Sequence, residues 1–185
     1  KGMGWHCRSL GLRYESGRGV KADMSKAIKY YSKGCKLHSA PSCLGLAAIY
    51  GDGRGVDKDS TKSQDYYRRA AQYLRSECHK RPNSCLQLAR LHRRGHGVEK
   101  DDRKAMSLAW QACGKKFGAA CAWLANEYAD GVVVKRDVTA AKRLWAKGCD
   151  DKPERAMYGH AGSCNALAWH ECVEDKLCGE AQEKR

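Results

Sequence analysis

A repeating pair of helical segments constrains this chain more than any other feature of its sequence. The glycines of the corner between the two segments stand at Gly17, Gly53, Gly95 and Gly131. Their steps are 36, 42 and 36 residues. The cysteines that precede the first segment of each unit are Cys7, Cys43, Cys85, Cys121 and Cys164. Their steps of 36, 42, 36 and 43 residues follow the same register, so the chain is an array of tandem repeats.

The corner has its own signature. Residues 17–23 read GRGVKAD, and the second and third units repeat this pattern closely. Glycine reaches positive φ without a Cβ clash, and the final Asp can cap the following helix. The fourth corner, residues 131–137, reads GVVVKRD, with Val133 in place of the second glycine. We expect that corner to be either strained or differently shaped.

Apolar residues recur at helical spacing on both sides of each corner, which predicts paired amphipathic helices. We expect an all-α single domain over 1–185. Its repeats are predicted at about 7–42, 43–84, 85–120 and 121–163, followed by a terminal helix and tail at 164–185. An aromatic residue of each second helix is predicted to lie in the core; these are Tyr31, Tyr67, Trp110 and Trp145.

Most of the eleven cysteines fall into pairs that join the end of one repeat to the start of the next. The predicted disulfides are Cys35–Cys43, Cys78–Cys85, Cys113–Cys121 and Cys149–Cys164, with Cys172–Cys178 near the end. Such short loops can bring two Cα atoms to the roughly 4.4–6.8 Å that a disulfide needs. Cys7 is left over; its partner precedes residue 1, or it is a free thiol, or it bridges two molecules. The absence of any CxxC pair disfavours a metal site, and we expect no cofactor.

The cysteine content indicates the compartment of the protein, and its net charge indicates the charge of its partner. The cysteine pattern favours an oxidising compartment, so we expect a periplasmic or secreted protein whose targeting segment lay upstream and has been removed. No apolar run is long enough for membrane insertion. The chain has 35 Lys and Arg against 21 Asp and Glu, a net charge of +14, which favours an acidic partner. No nucleic-acid recognition motif accompanies that charge.

The unit LGLRYESGRGVKADMSKAIKYYSKGC, residues 10–35, resembles the Sel1-like repeat, a relative of the tetratricopeptide repeat. The eight-residue cysteine spacing resembles the disulfide-rich secreted or periplasmic bacterial branch of that family. The resemblance implies a right-handed α/α superhelix, a solenoid, with the first helix of each pair on the concave face. Val133, Ala47 and His92 depart from the family pattern without threatening that fold.

The resemblance also narrows the function. Similar proteins act mostly as protein-binding adaptors, some periplasmic members are immunity proteins against lipase-type toxins, and a few are linked to β-lactam binding or slow hydrolysis. This sequence carries no GxSxG, SxxK, HExxH or P-loop motif. We therefore expect a non-enzymatic protein-binding solenoid of the bacterial envelope, with an immunity protein as one form. A weak β-lactamase and an adaptor scaffold for envelope assembly or signalling are the alternatives.

The predicted partner-binding residues lie on the first helices of the repeats. They are Arg8, Arg13, Arg90, Arg93, Arg94, Trp123 and Asn126. Arg and Trp combine a large contact area with directed polar groups, which makes them frequent interface anchors. We expect these residues to form a basic cradle on the concave face for an acidic segment of the partner.

Overall fold

The computed structural model describes residues 3–149. Within that range the chain forms helices α1 (Met3–Ser16), α2 (Met24–Lys36), α3 (Ala40–Asp52), α4 (Ser60–Cys78), α5 (Pro82–Arg94), α6 (Asp102–Gly114), α7 (Gly118–Asp130) and α8 (Val138–Cys149). No strand occurs in the described part of the chain. The prediction of an all-α fold made of helix pairs is confirmed.

The second helix of a pair begins at an aspartate. Asp23, Asp59 and Asp137 each accept a hydrogen bond from the backbone N–H three residues later, at 2.9, 2.8 and 2.9 Å. The same three residues donate their own N–H to a carbonyl near the end of the preceding helix. The aspartate therefore satisfies an otherwise unpaired helix-start donor and also closes the corner.

The corners follow the glycine pattern, and the fourth one differs as its sequence suggested. Gly53 and Gly131 are the left-handed C-caps of α3 and α7, with φ of 74° and 69°. In the first three corners the second glycine also has positive φ, whereas Val133 is not among the described residues with positive φ. The fourth corner is thus differently shaped, because a Cβ disfavours the left-handed conformation.

The helices fall into two compact units. The first unit comprises Lys1–Lys80 and Arg90–Asp101, so it includes the last residues of α5. In it α1 packs on α2, α2 on α3, and α3 on α4. Tyr31, Leu46 and Ile49 are buried at the centre of this packing. The aromatic of the first repeat therefore lies in the core as predicted.

The second unit comprises Arg81–Ala89 and Asp102–Arg185; in its described part α6 packs on α7, and α7 on α8. Trp145 is buried, but Trp110 is 41% exposed, so its assignment to the core was wrong. Tyr31 and Trp145 each stand 14 residues after their corner glycine, and in the third repeat that register position is Ala109, which is fully buried. Trp110 lies one residue further, which turns its side chain about 100° around the helix.

Disulfides connect consecutive repeats. Cys35–Cys43 and Cys113–Cys121 are bonded, each with a Cα–Cα distance of 4.8 Å, as predicted. Cys78, Cys85 and Cys149 are also disulfide-bonded. Cys7 is buried and forms no disulfide within the described residues, and the three alternatives for it stay predictions. These bonds suggest an oxidising compartment.

The structure leaves two sets of predictions untested. The predicted disulfide partners Cys164, Cys172 and Cys178, and the terminal helix and tail at 164–185, lie outside the described residues. The division into repeats within one domain stays a prediction. Between residues 3 and 149, none of the helices has the length and apolar character needed to span a membrane.

Candidate functional site

A buried tyrosine, Tyr31, forms a hydrogen bond with a carboxylate in the first unit. The ring of Tyr31 packs over Gly11 of α1, where an added Cβ would lie only 2.8 Å from the ring. Its Oη donates a hydrogen bond of 2.6 Å to Oε2 of Glu15. Burial of the ring, and then the Glu15 hydrogen bond and charge, raise the pKa of Tyr31 far above its ordinary value. The tyrosine is therefore a neutral donor that holds Glu15 in place.

Arg54 extends this contact into the second repeat. It stands between the two glycines of the second corner, and its Nη1 donates to Oε1 of Glu15. Its Nε lies 3.3 Å from Oδ2 of Asp52. The side chain of Arg54 is still 44% exposed, so both carboxylates are engaged while the guanidinium reaches solvent. Arg8 of α1 lies within electrostatic range of the Tyr31 hydroxyl.

The third corner repeats this arrangement with different chemistry. His96 occupies the position equivalent to Arg54, and its ring stacks on Tyr67 of α4 with centroids 4.5 Å apart. The N–H of Gly97 donates to Oε1 of Gln64 at 2.7 Å. In both corners, the residue between the glycines contacts the preceding repeat.

Two arginines lie within electrostatic range of Tyr67. Burial, and then the charge of Asp52, raise the pKa of Tyr67, while Arg94 and Arg54 oppose that rise. Arg90 precedes Arg94 by one turn of α5, and partial burial, followed by the charge of Arg94, lowers the pKa of Arg90. Arg94 thus lies near the half-buried ring of Tyr67 and close enough to Arg90 for the two guanidinium groups to repel each other.

We call this set the arginine–tyrosine surface and define it as Arg8, Arg54, Arg90, Arg94, Tyr67 and His96. The set contains four guanidinium groups, and one of them, that of Arg54, pairs with the carboxylates of both Glu15 and Asp52. A guanidinium presents a planar fork that matches a carboxylate in two hydrogen bonds. The surface is therefore suited to acidic groups that arrive next to an aromatic ring.

Three of the five predicted arginines belong to the arginine–tyrosine surface, and two do not. Arg8, Arg90 and Arg94 belong to it. Arg93 is half-buried on α5, three residues after Arg90. Arg13 is exposed but follows Arg8 by five residues on α1, which places it about 140° around that helix.

Trp123 and Asn126 lie on α7 in the second unit. Oδ1 of Asn126 accepts a hydrogen bond from Nε1 of the buried Trp145 at 3.1 Å. That bond satisfies an indole donor inside the helix pair, which is a structural role. Partner binding at the predicted residues stays a prediction.

The sequence interpretation missed Arg54, Tyr67 and His96 as members of a site. A signal for two of them existed: the residue between the corner glycines varies while its surroundings hardly change. At that position the four repeats have Arg18, Arg54, His96 and Val132. Tyr67 carried no separate signal, because its place in the repeat is that of the buried Tyr31. In residues 3–149, no group of three or more His, Cys, Asp and Glu side chains could hold a metal ion.

A comparison with known protein families identifies the four repeats. The Sel1 repeat family model matches residues 7–39, 40–72, 82–113 and 118–152. A Sel1 repeat protein from Oxalobacter formigenes is 29% identical, with a TM-score of 0.59, over 78% of this chain and 57% of its own. No curated protein matches the chain in sequence.

Two further solved structures are similar. A protective antigen of uropathogenic Escherichia coli with an SLR fold is 22% identical, with a TM-score of 0.56, over 95% of this chain and 38% of its own. Cysteine rich protein B of Helicobacter pylori is 26% identical, with a TM-score of 0.43, over 65% of this chain and 90% of its own. The chain thus spans little more than half of the Oxalobacter protein and less than half of the Escherichia coli antigen.

Proposed function

The chain belongs to the Sel1 repeat family, and we propose that it is a non-enzymatic scaffold whose arginine–tyrosine surface binds an acidic protein. Sel1 repeats generally mediate protein–protein interaction and are generally not enzymes. The observation that carries the proposal is the approach of Arg54 and Arg94 to Tyr67, with Arg90 close to Arg94.

The charges on this surface favour an acidic partner. Arg54 already pairs with Glu15 and Asp52, whereas Arg90 and Arg94 repel each other. A partner carboxylate between those two groups would replace repulsion with two charge-assisted hydrogen bonds. The net charge of +14 adds a long-range field that would raise the association rate of an acidic protein, and salt would weaken that effect.

The aromatic groups favour a protein over a small anion. The stacked rings of Tyr67 and His96 offer a flat contact area beside the guanidinium groups. Tyr and Arg dominate binding hot spots because they bury a large area and still direct polar atoms. A carboxylate next to an apolar or aromatic side chain would use both features, and a protein loop supplies that combination.

In its specific form, the proposal places the protein in the bacterial periplasm or outside the cell. The partner there would be a secreted toxin enzyme, for example of the lipase type, which this chain inhibits as an immunity protein by covering its active-site mouth. Disulfides between consecutive repeats would suit an oxidising compartment. The adaptor and β-lactam hypotheses stay predictions.

A capture experiment with matched charge variants tests the proposal. The oxidised protein would be used to capture partners from its native envelope extract at low and moderate salt, with mass spectrometry as readout. Arg90→Glu with Arg94→Glu reverses two charges one helical turn apart on the surface. Lys29→Glu with Lys33→Glu makes the same change on exposed positions of α2.

We expect one stoichiometric acidic partner that the wild type and the α2 variant retain and that the α5 variant loses. The affinity for the purified partner should then fall at least about tenfold in the α5 variant. Equal capture by both variants would refute the surface. Inhibition of the partner's enzymatic activity would support the immunity role, and binding without inhibition would favour an adaptor.

A further inference from the structure

The second unit carries a groove that the proposed function does not use. It is lined by Trp110 of α6, Tyr128 of α7, and Ala140, Arg143, Leu144 and Lys147 of α8. We propose that this groove binds an acidic peptide segment of another protein, with one large apolar side chain seated on Trp110 and Leu144. The proposal is independent of the arginine–tyrosine surface.

The equivalent place is filled in the first two repeats. Tyr14 stacks on Tyr30 with ring centroids 5.5 Å apart, and Lys26 Nζ lies 5.4 Å from the Tyr14 centroid. In the second repeat, Tyr50 and Tyr66 stack at 5.7 Å under Lys62. In each pair, one ring covers a face of the other, and a lysine of the same repeat lies over the first tyrosine.

Two substitutions at equivalent positions open this place in the fourth repeat. Tyr128 stands three residues before its corner glycine, as Tyr14 does, but Leu144 replaces the second tyrosine and Ala140 replaces the lysine. Among the described residues, no ring stacks on Tyr128 and no lysine lies over it as Lys26 lies over Tyr14. The groove is therefore a consequence of sequence differences between repeats.

Trp110 forms one side of the groove and is 41% exposed. Ser32 and Arg68 hold the equivalent position in the first two repeats, and Ala146 holds it in the fourth. Trp110 exposes part of its indole beside the buried Leu144, and tryptophan is among the residues enriched in binding hot spots. These features indicate a site for a large apolar side chain.

The charged residues at the rim of the groove favour an acidic occupant. Arg143 and Lys147 are exposed and lie one turn apart on α8, and none of the six lining residues is acidic. The carboxylate of the nearby Asp137 is engaged as the N-cap of α8. Two cations beside an apolar floor complement carboxylates that flank an aromatic or aliphatic side chain.

A titration followed at the Trp110 indole tests this. The ¹⁵N-labelled, oxidised protein would be titrated with the peptide acetyl-Asp-Glu-Phe-Asp-Glu-amide, with the Trp110 indole N–H signal identified by its loss in Trp110→Phe. We expect a saturable shift of that signal. Replacing Phe by Ala, or the acids by Asn and Gln, should weaken binding at least about tenfold.

The repeat supplies a matched control. Arg143→Glu with Lys147→Glu should weaken peptide binding at least about tenfold. Lys29→Glu with Lys33→Glu changes the equivalent positions beside the closed Tyr14–Tyr30 pair and should change affinity less than twofold. Arg90→Glu with Arg94→Glu should also leave this titration unchanged, which separates it from the proposed function.

Three results would overturn the proposal. The first is the absence of a saturable Trp110 shift at millimolar peptide. The second is an equal loss of affinity in both charge variants, which would mean that only the overall charge matters. The third is a Trp110 response to phosphatidylglycerol vesicles but not to the peptide, which would assign the groove to a membrane surface.

Discussion

The hydroxyl of Tyr31 in α2 donates a 2.6 Å hydrogen bond to the carboxylate of Glu15 in α1. The other oxygen of that carboxylate accepts from Arg54, which belongs to the next repeat. One carboxylate thus joins both helices of the first repeat to the corner of the second. This contact lies beside the buried core and also orients an arginine of the proposed binding surface.

Removing the hydroxyl should destabilise the protein. A hydrogen bond to a charged group contributes about 1.5–3 kcal/mol, so we expect Tyr31→Phe to lower the free energy of unfolding by about that amount. Urea unfolding of the oxidised protein measures it. Tyr30→Phe is the control, because it removes a hydroxyl from a ring that stacks on Tyr14. Equal losses in the two variants would contradict a specific role for the Glu15 contact.

The same hydroxyl should make stability depend on alkaline pH. Burial and Glu15 raise the pKa of Tyr31 in the folded state, while the unfolded chain titrates near 10.0. The folded protein therefore binds more protons above that pH, and its stability falls as pH rises from about 10. We expect a smaller fall between pH 8 and pH 11 in Tyr31→Phe than in the wild type. Superimposable pH profiles of unfolding free energy would refute this.

Gly97 should tolerate a side chain much less well than Gly19. Both have positive φ, at 67° and 74°. A Cβ on Gly97 would clash with the backbone of Tyr67 and Arg68, whereas a Cβ on Gly19 meets nothing within 4 Å. We expect Gly19→Ala to cost about 1–2 kcal/mol through backbone strain alone. Gly97→Ala should cost about 1–3 kcal/mol more, because the corner must move off α4.

Urea unfolding of both alanine variants measures the difference. Because the displaced corner carries His96, Gly97→Ala should also weaken binding at the arginine–tyrosine surface. Indistinguishable stabilities of the two variants would show that the third corner does not rest on α4.

The disulfides should stabilise the junctions between repeats. Cys35–Cys43 closes a short loop with a sequence separation of 8, for which loop-closure entropy predicts about 2–3 kcal/mol. We expect Cys35→Ser with Cys43→Ser to lower the free energy of unfolding by that amount. Cys113→Ser with Cys121→Ser is the matched case, because it removes a second disulfide of the same sequence separation. A reducing agent should destabilise the wild type more than either variant; equal sensitivity would contradict the assignment.

The sequence by itself determined the register of the repeats, the helix pairs, the aspartate caps and the pairing of Cys35 with Cys43. These features depend on interactions within a few residues: a glycine that accepts positive φ, a carboxylate that meets a nearby N–H, and a short loop that can bring two cysteines together. Such local interactions recur in each repeat, so the sequence shows them several times.

Only the tertiary structure decided which side chains of neighbouring repeats meet. Arg54 reaches Glu15, which lies 39 residues earlier, and His96 stacks on Tyr67 across a corner. Trp110 is exposed because it stands one residue beyond the buried position that Ala109 occupies. Each step along a helix turns a side chain by about 100°, so a shift of one residue moves it between core and solvent. Repeat periodicity reveals that pattern only after the buried face of each helix is known.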